Sequence, residues 1–167
     1  MVYSTAQIAV LAIFAAIAAS YDVAQHRVPN ALVTAIAGAG AAVQWVSGGW
    51  DAGALGLVAA GIVAGLALPF WASRRIGGGD LKLAAAAAVW VGPIRIPTYL
   101  LATAVVGGLV AAACYALSSR EVRAAVRANL YRFYAPKLSG VGSAQPGRRR
   151  VPYGVAIAAG AVFAVCR

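Results

Sequence analysis

Six apolar stretches, at 2–21, 31–46, 52–72, 81–94, 96–117 and 151–165, dominate this sequence, and almost no negative charge interrupts them. Asp22, Asp51, Asp80 and Glu121 are its only carboxylates, and charged residues make up 11% against 62% hydrophobic. A chain this apolar is not an ordinary soluble domain, and it is long enough for several membrane spans. The fold class expected is all-α: one membrane-embedded domain over 1–167, polytopic, with about six transmembrane helices. A hydrocarbon core of about 30 Å calls for roughly 20 helical residues. The stretches at 31–46, 81–94 and 151–165 must therefore recruit flanking residues, thin the bilayer or lie partly within protein.

The formal charge of +10 would suggest nucleic acid as a partner of a soluble protein, but its distribution follows the spans. Arg27, the pair Arg74 and Arg75, Lys82 and the basic segment from Arg120 to Arg150 fall on one side, leaving Arg95 and Arg167 opposite. By the positive-inside rule that side is cytoplasmic and both termini are outside. The expected location is the inner (plasma) membrane, with membrane lipid as a partner and no nucleic acid. The first stretch ends in small residues like a secretory signal, but it has no Lys or Arg before it and reads as a retained span. Within the basic cytoplasmic segment 118–150, Ser118 and Glu121 form a capping-box pattern, and Val122, Val126, Leu130 and Phe133 follow at helical spacing. An amphipathic helix on the anionic inner leaflet and a solvated linker with topogenic arginines both fit.

On this topology Asp22 ends the first helix and Asp80 opens the fourth, so two carboxylates distant in sequence share one depth. A carboxylate at membrane depth costs roughly 2.5 to 3.5 kcal/mol on insertion scales and is a functional candidate by default. Two carboxylates brought close share one proton, and the ionised partner can then activate a water while the protonated one polarises a peptide carbonyl. No pattern for a serine or cysteine triad competes with this arrangement, and His26 reads as an interfacial loop residue. Cys114 and Cys166 lack metal-ligand spacing, so no metal and no cofactor are expected. Gly77, Gly78 and Gly79, just before Asp80, can let the chain leave helical geometry and let a substrate backbone approach.

Three motifs carry a family resemblance. Asp22-Val23-Ala24-Gln25-His26-Arg27-Val28-Pro29-Asn30 resembles the first-aspartate segment of the type IV prepilin peptidases, an aspartate followed six or seven residues later by Ile/Val-Pro-Asn. Gly77-Gly78-Gly79-Asp80-Leu81-Lys82 resembles their G-x-G-D-x-K segment, and Pro152-Tyr153-Gly154 the start of their last helix. The resemblance implies an intramembrane aspartic endopeptidase with a cytoplasmic-side active site. It would remove the short basic leader of a prepilin next to a glycine, with the leader and its following transmembrane segment as partner. Asp22 and Asp80 would then be the catalytic dyad. Gly77, Gly78, Gly79, Lys82, Pro29, Asn30, Pro152, Tyr153 and Gly154 would support them, with the Lys82 ammonium biasing the protonation of Asp80. The chain lacks the paired Cys-x-x-C region of the longer, methylating members. It is therefore similar to the short tight-adherence (Flp-type) branch, and methyl transfer is not carried over.

From other classes, a small transporter or proton relay could use the same two acids, and a non-catalytic assembly factor could keep the fold. A transporter would be expected to show internal repeats, and its Pro-Asn and Pro-Tyr-Gly motifs would have no explanation. Trp45, Trp50, Trp71 and Trp90 fall near predicted span ends, where interfacial anchoring is the default. Asp51 is expected to cap the third helix, and Pro29 to stiffen the start of the second. The runs 84–88 and 107–108 suggest close helix packing.

Overall fold

Backbone amides cannot be left unpaired in hydrocarbon, and among the described residues every long element is a helix, as a chain this apolar requires. A computed structural model describes residues 3–25, 27–121, 123–124, 126–127 and 153–166. Its helices are α1 (Thr5–Gln25), α2 (Asn30–Ala72), α3 (Gly78–Val91), a 3₁₀ turn (Pro93–Arg95), α4 (Ile96–Ala116) and α5 (Tyr153–Cys166). Among the described residues three helical stretches are long and apolar enough to cross a bilayer: Thr5–Gln25, Asn30–Ala72 and Pro93–Ala116. Around them Ile13, Leu57 and Leu101 leave more than half of their surface uncovered, as lipid-facing side chains do.

That is fewer than the six spans expected. The predicted second and third helices form one element, α2, which carries a single non-helical residue, Gly49, at φ 72° and ψ −167°. Its two arms, 30–48 and 50–72, fold against each other there: a Cβ on Gly56 would lie 3.6 Å from Gln44 Cγ, and one on Gly53 3.7 Å from Trp45 Cβ. A straight helix would separate Gln44 from Gly56 by about 18 Å. The fourth and sixth stretches give α3 and α5, each 14 residues and so about 21 Å long, short of a bilayer core. Gly92, at φ 72°, ends α3 by donating its N–H to the Ala88 carbonyl at 3.1 Å, a conformation that favours glycine.

Short as it is, α3 is buried along its C-terminal half, packed by both arms of α2 and by α5. Trp90 is 0% exposed. Its ring lies on Gly40 of the first arm, where a Cβ would come within 2.7 Å, and its Nε1 donates to the Ile36 carbonyl at 2.8 Å. The predicted interfacial role of Trp90 is thus replaced by one at the centre of the core, because the helix turns that position inward. Trp45, Trp50 and Trp71 are each about half exposed or more. Tyr99 of α4 is buried and donates to the Ala84 carbonyl of α3 at 3.2 Å. Small residues let α4 approach α5: a Cβ on Gly160 would run into Thr103, and one on Gly107 would touch Ala156 at 3.5 Å. Packing thus uses Ala and Gly as expected, although Gly108 faces open space.

Residues 109–151 form a second compact unit. Helical residues resume at Arg120, and the Ser119 carbonyl accepts the Arg123 N–H at 3.1 Å. Ser118, expected to cap that helix, instead donates its hydroxyl back to the Cys114 carbonyl at 2.6 Å. Of the amphipathic face, Val122, Leu130 and Phe133 lie outside the described residues, as do His26 and Pro152.

Gly40→Ala should destabilise the protein by about 1–3 kcal/mol, the range for overpacking a filled core. Gly61→Ala in the same helix meets nothing within 4 Å and should leave stability unchanged or slightly raised. Thermal unfolding of the two variants in detergent checks this contrast.

Candidate functional site

The C-terminus of α1, both ends of α2 and the N-termini of α3 and α5 lie at one end of the bundle. The C-terminus of α1 leads through residues 26–29 to the N-terminus of α2, and the turn after α2 leads to the N-terminus of α3. The N-terminus of α5 packs on the end of α1. Asp22 lies in the last turn of α1 and is 6% exposed. A carboxylate there faces the negative end of its own helix dipole and needs a compensating donor. That donor is the backbone N–H of Gly154, in the first turn of α5, at 2.6 Å from Asp22 Oδ2. The site is built around glycine: a Cβ at 154 would lie 2.8–2.9 Å from Oδ2, Cβ and Cγ of Asp22. Tyr153 sits beside it, with its ring about 3.6 Å from where a Cβ on Gly107 would stand.

Asp80 is half-buried in the first turn of α3, where the positive end of the helix dipole favours a carboxylate. Gly77 is the extended cap residue, at φ −73° and ψ 147°, and its carbonyl accepts the Leu81 N–H at 3.1 Å. Gly78 and Gly79 are already helical. The expected departure from helical geometry is therefore confined to Gly77, and none of the three uses a positive φ. What glycine supplies here is space. A Cβ on Gly77 would stand 3.0 Å from Asp80 Oδ2, one on Gly78 would stand 3.2 Å from Trp71 Nε1, and one on Gly79 would meet nothing within 4 Å. Trp71, expected as an interfacial anchor, packs beside Gly78 because the turn after α2 is tight. Arg75 and Ile76 both donate to the Phe70 carbonyl, and Arg74 adopts φ 56°.

Lys82 and Asn30 explain each other. Lys82 Nζ donates to Asn30 Oδ1 at 3.3 Å, joining the first turn region of α3 to the first residue of α2. Lys82 thereby ties the start of α3 to the start of α2. Pro29 caps α2 at φ −59°, and its carbonyl accepts the N–H groups of Leu32 and Val33. Asp22, Pro29, Asn30, Gly77 to Asp80, Lys82, Tyr153 and Gly154 thus gather at one end of the bundle. α5, which holds Asp22, also packs against α3, which carries Asp80. Among the described residues no cluster of His, Cys, Asp and Glu has the makings of a metal site.

The sequence model of the type IV leader peptidase family matches residues 9–112, more than half of the chain. No curated protein and no solved structure matches it. The matched residues include both aspartates, Pro29, Asn30 and Lys82, whereas Tyr153 and Gly154 lie beyond them and join the site through the bond to Asp22.

Gly154→Ala should cost stability in the native background and cost less when Asp22→Gly has removed the side chain it strikes. A double-mutant cycle on thermal unfolding should return a coupling of about 1–3 kcal/mol, and additive effects would contradict the contact.

Proposed function

Because the chain belongs to the type IV leader peptidase family, a family of proteases acting on prepilin leaders, we propose that it is a membrane aspartic endopeptidase with Asp22 and Asp80 as its catalytic pair. Its substrate is a type IV prepilin of the Flp type, cut next to a glycine at the end of the short basic leader. The observation that carries this reading is Asp22. A buried carboxylate fixed by a backbone N–H donor, at the same end of the bundle as a second carboxylate on a helix N-terminus, fits acid and base work on a peptide bond.

In this mechanism the ionised aspartate takes a proton from a water while its protonated partner donates a hydrogen bond to the scissile carbonyl. The hydroxide adds to the carbonyl carbon, and the tetrahedral oxyanion is held by the donor. As the C–N bond breaks, a proton passes to the leaving nitrogen. The leader departs with a new carboxyl group and the mature pilin with a new amino group. The open space at Gly79, beside Asp80, suits the close approach of an extended substrate backbone.

The proposed membrane arrangement has each arm of α2 crossing the bilayer, with the shorter α3 and α5 sheltered by neighbouring helices and the aspartate end facing the cytoplasm. The concentration of Lys and Arg in the connections at that end supports it. Reporter fusions after Arg75 should read as cytoplasmic, and an external reading would reverse the orientation.

Asp22→Asn and Asp80→Asn keep size and hydrogen-bonding capacity, so both should fold. Each should lower leader removal from a Flp-type prepilin by about 100-fold or more, the scale of a lost general acid or base. Gel-shift cleavage assays with purified protein in detergent measure this, and retained cleavage in either variant would remove that residue from the pair.

A further inference from the structure

Trp71, in the last turn of α2, brings to the aspartate end of the bundle a donor that no acceptor among the described residues takes up. Its side chain is about half exposed, and the ring atom nearest to α3 is the indole nitrogen: a Cβ on Gly78 would stand 3.2 Å from Nε1 and 3.8 Å from Cδ1. Trp90 shows the contrast, since the same donor turned into the core reaches the Ile36 carbonyl at 2.8 Å. Gly77, next to Gly78 in the chain, would place its own Cβ 3.0 Å from Asp80 Oδ2. Neighbouring Cα atoms are about 3.8 Å apart and each Cα–Cβ bond adds about 1.5 Å, so Trp71 Nε1 and Asp80 Oδ2 lie within about 13 Å of each other. That is the reach of about four residues of extended chain. At the same helix end Gly79 faces open space.

The chemistry of the donor narrows what it can hold. An indole N–H gives a hydrogen bond and accepts none, so it selects a carbonyl. A peptide laid out for hydrolysis has carbonyls freed from helical partners, and each is costly to leave unpaired away from water. An ordinary interfacial tryptophan gives its N–H to headgroups. Here the nitrogen is instead the ring atom turned to the glycine run that precedes Asp80, and no side chain at position 78 covers it. We propose that Trp71 is a substrate-binding residue: its indole N–H donates to a main-chain carbonyl of the prepilin, within about four residues of the scissile bond, across the bare backbone of Gly78. This rests on the peptidase reading and adds to it the group that holds the extended segment beside Asp80.

The carbonyl held by Trp71 does not react, so its bond is the same in the ground state and the transition state, and losing it raises KM with kcat unchanged. Trp71→Phe keeps an aromatic ring and removes the N–H. Replacing Trp71 by benzothienylalanine, which puts sulfur in place of the N–H at nearly the same size, separates the hydrogen bond from packing. In cleavage assays of the purified full chain in lipid-free detergent with a Flp-type prepilin, both variants should raise KM about fivefold, the scale of one hydrogen bond. Their kcat and thermal unfolding should match the wild type. Wild-type cleavage with KM unchanged in the benzothienyl variant would overturn the assignment alone. So would a loss confined to kcat, which makes Trp71 a residue that shapes the site, or an effect seen in vesicles but absent in detergent, which gives its N–H to lipid. A wild type that cuts no Flp-type prepilin would instead overturn the peptidase reading, and this assignment with it.

Discussion

The seating of Trp90 on the bare backbone of Gly40 is the contact on which the rest of this structure depends. Helices in lipid gain little from burying apolar surface against one another, so their association rests on close packing and on hydrogen bonds between them. Trp90 supplies both. Its ring fills the space a side chain at Gly40 would occupy, its indole N–H reaches the Ile36 carbonyl, and its own carbonyl receives Tyr3 and Gln44. One residue near the C-terminus of α3 thereby fixes that helix to both α2 and the start of α1. The same helix, about 15 Å further back along its axis, presents Asp80. The position of the candidate site is set in this way from the opposite end of the bundle.

At that site, helix ends provide the electrostatics. The N-termini of α2, α3 and α5 all lie at the end where Asp22 and Asp80 are found, and each carries unpaired N–H groups and a partial positive charge. Asp22 uses one of these directly through Gly154, while Asp80 lies within the first turn of another. Backbone donors of this kind compensate a carboxylate at a helix end. Lys82 holds Asn30 and thus the spacing between the starts of α2 and α3.

Legibility in the sequence varied with the kind of question. The three motifs place their residues at helix ends, and those among the described residues lie at one end of the bundle, because helix ends follow from counting along apolar stretches. Rotation about a helix axis is not given by that count. Trp90, at a predicted span end, therefore proves to lie in the core, and the contact of Lys82 with Asn30 has no local signal. The glycines before Asp80 suggested backbone freedom, whereas their φ values are ordinary and their use is clearance for Asp80 and Trp71. The role of Gly154 had no signal beyond its place in a motif, since its partner is 132 residues away.

The amino-acid sequence by itself determined the helical class, the apolar stretches long enough to cross a membrane, the helix-end positions of both aspartates and the family, because hydropathy, sparse charge and short motifs are local properties of the chain. The tertiary structure decided which residues touch. It folded the two arms of α2 together at Gly49, turned Trp90 inward and brought a backbone N–H of the last helix to a carboxylate of the first. Those outcomes depend on close approach between surfaces of small residues, where a single Cβ decides whether two helices meet.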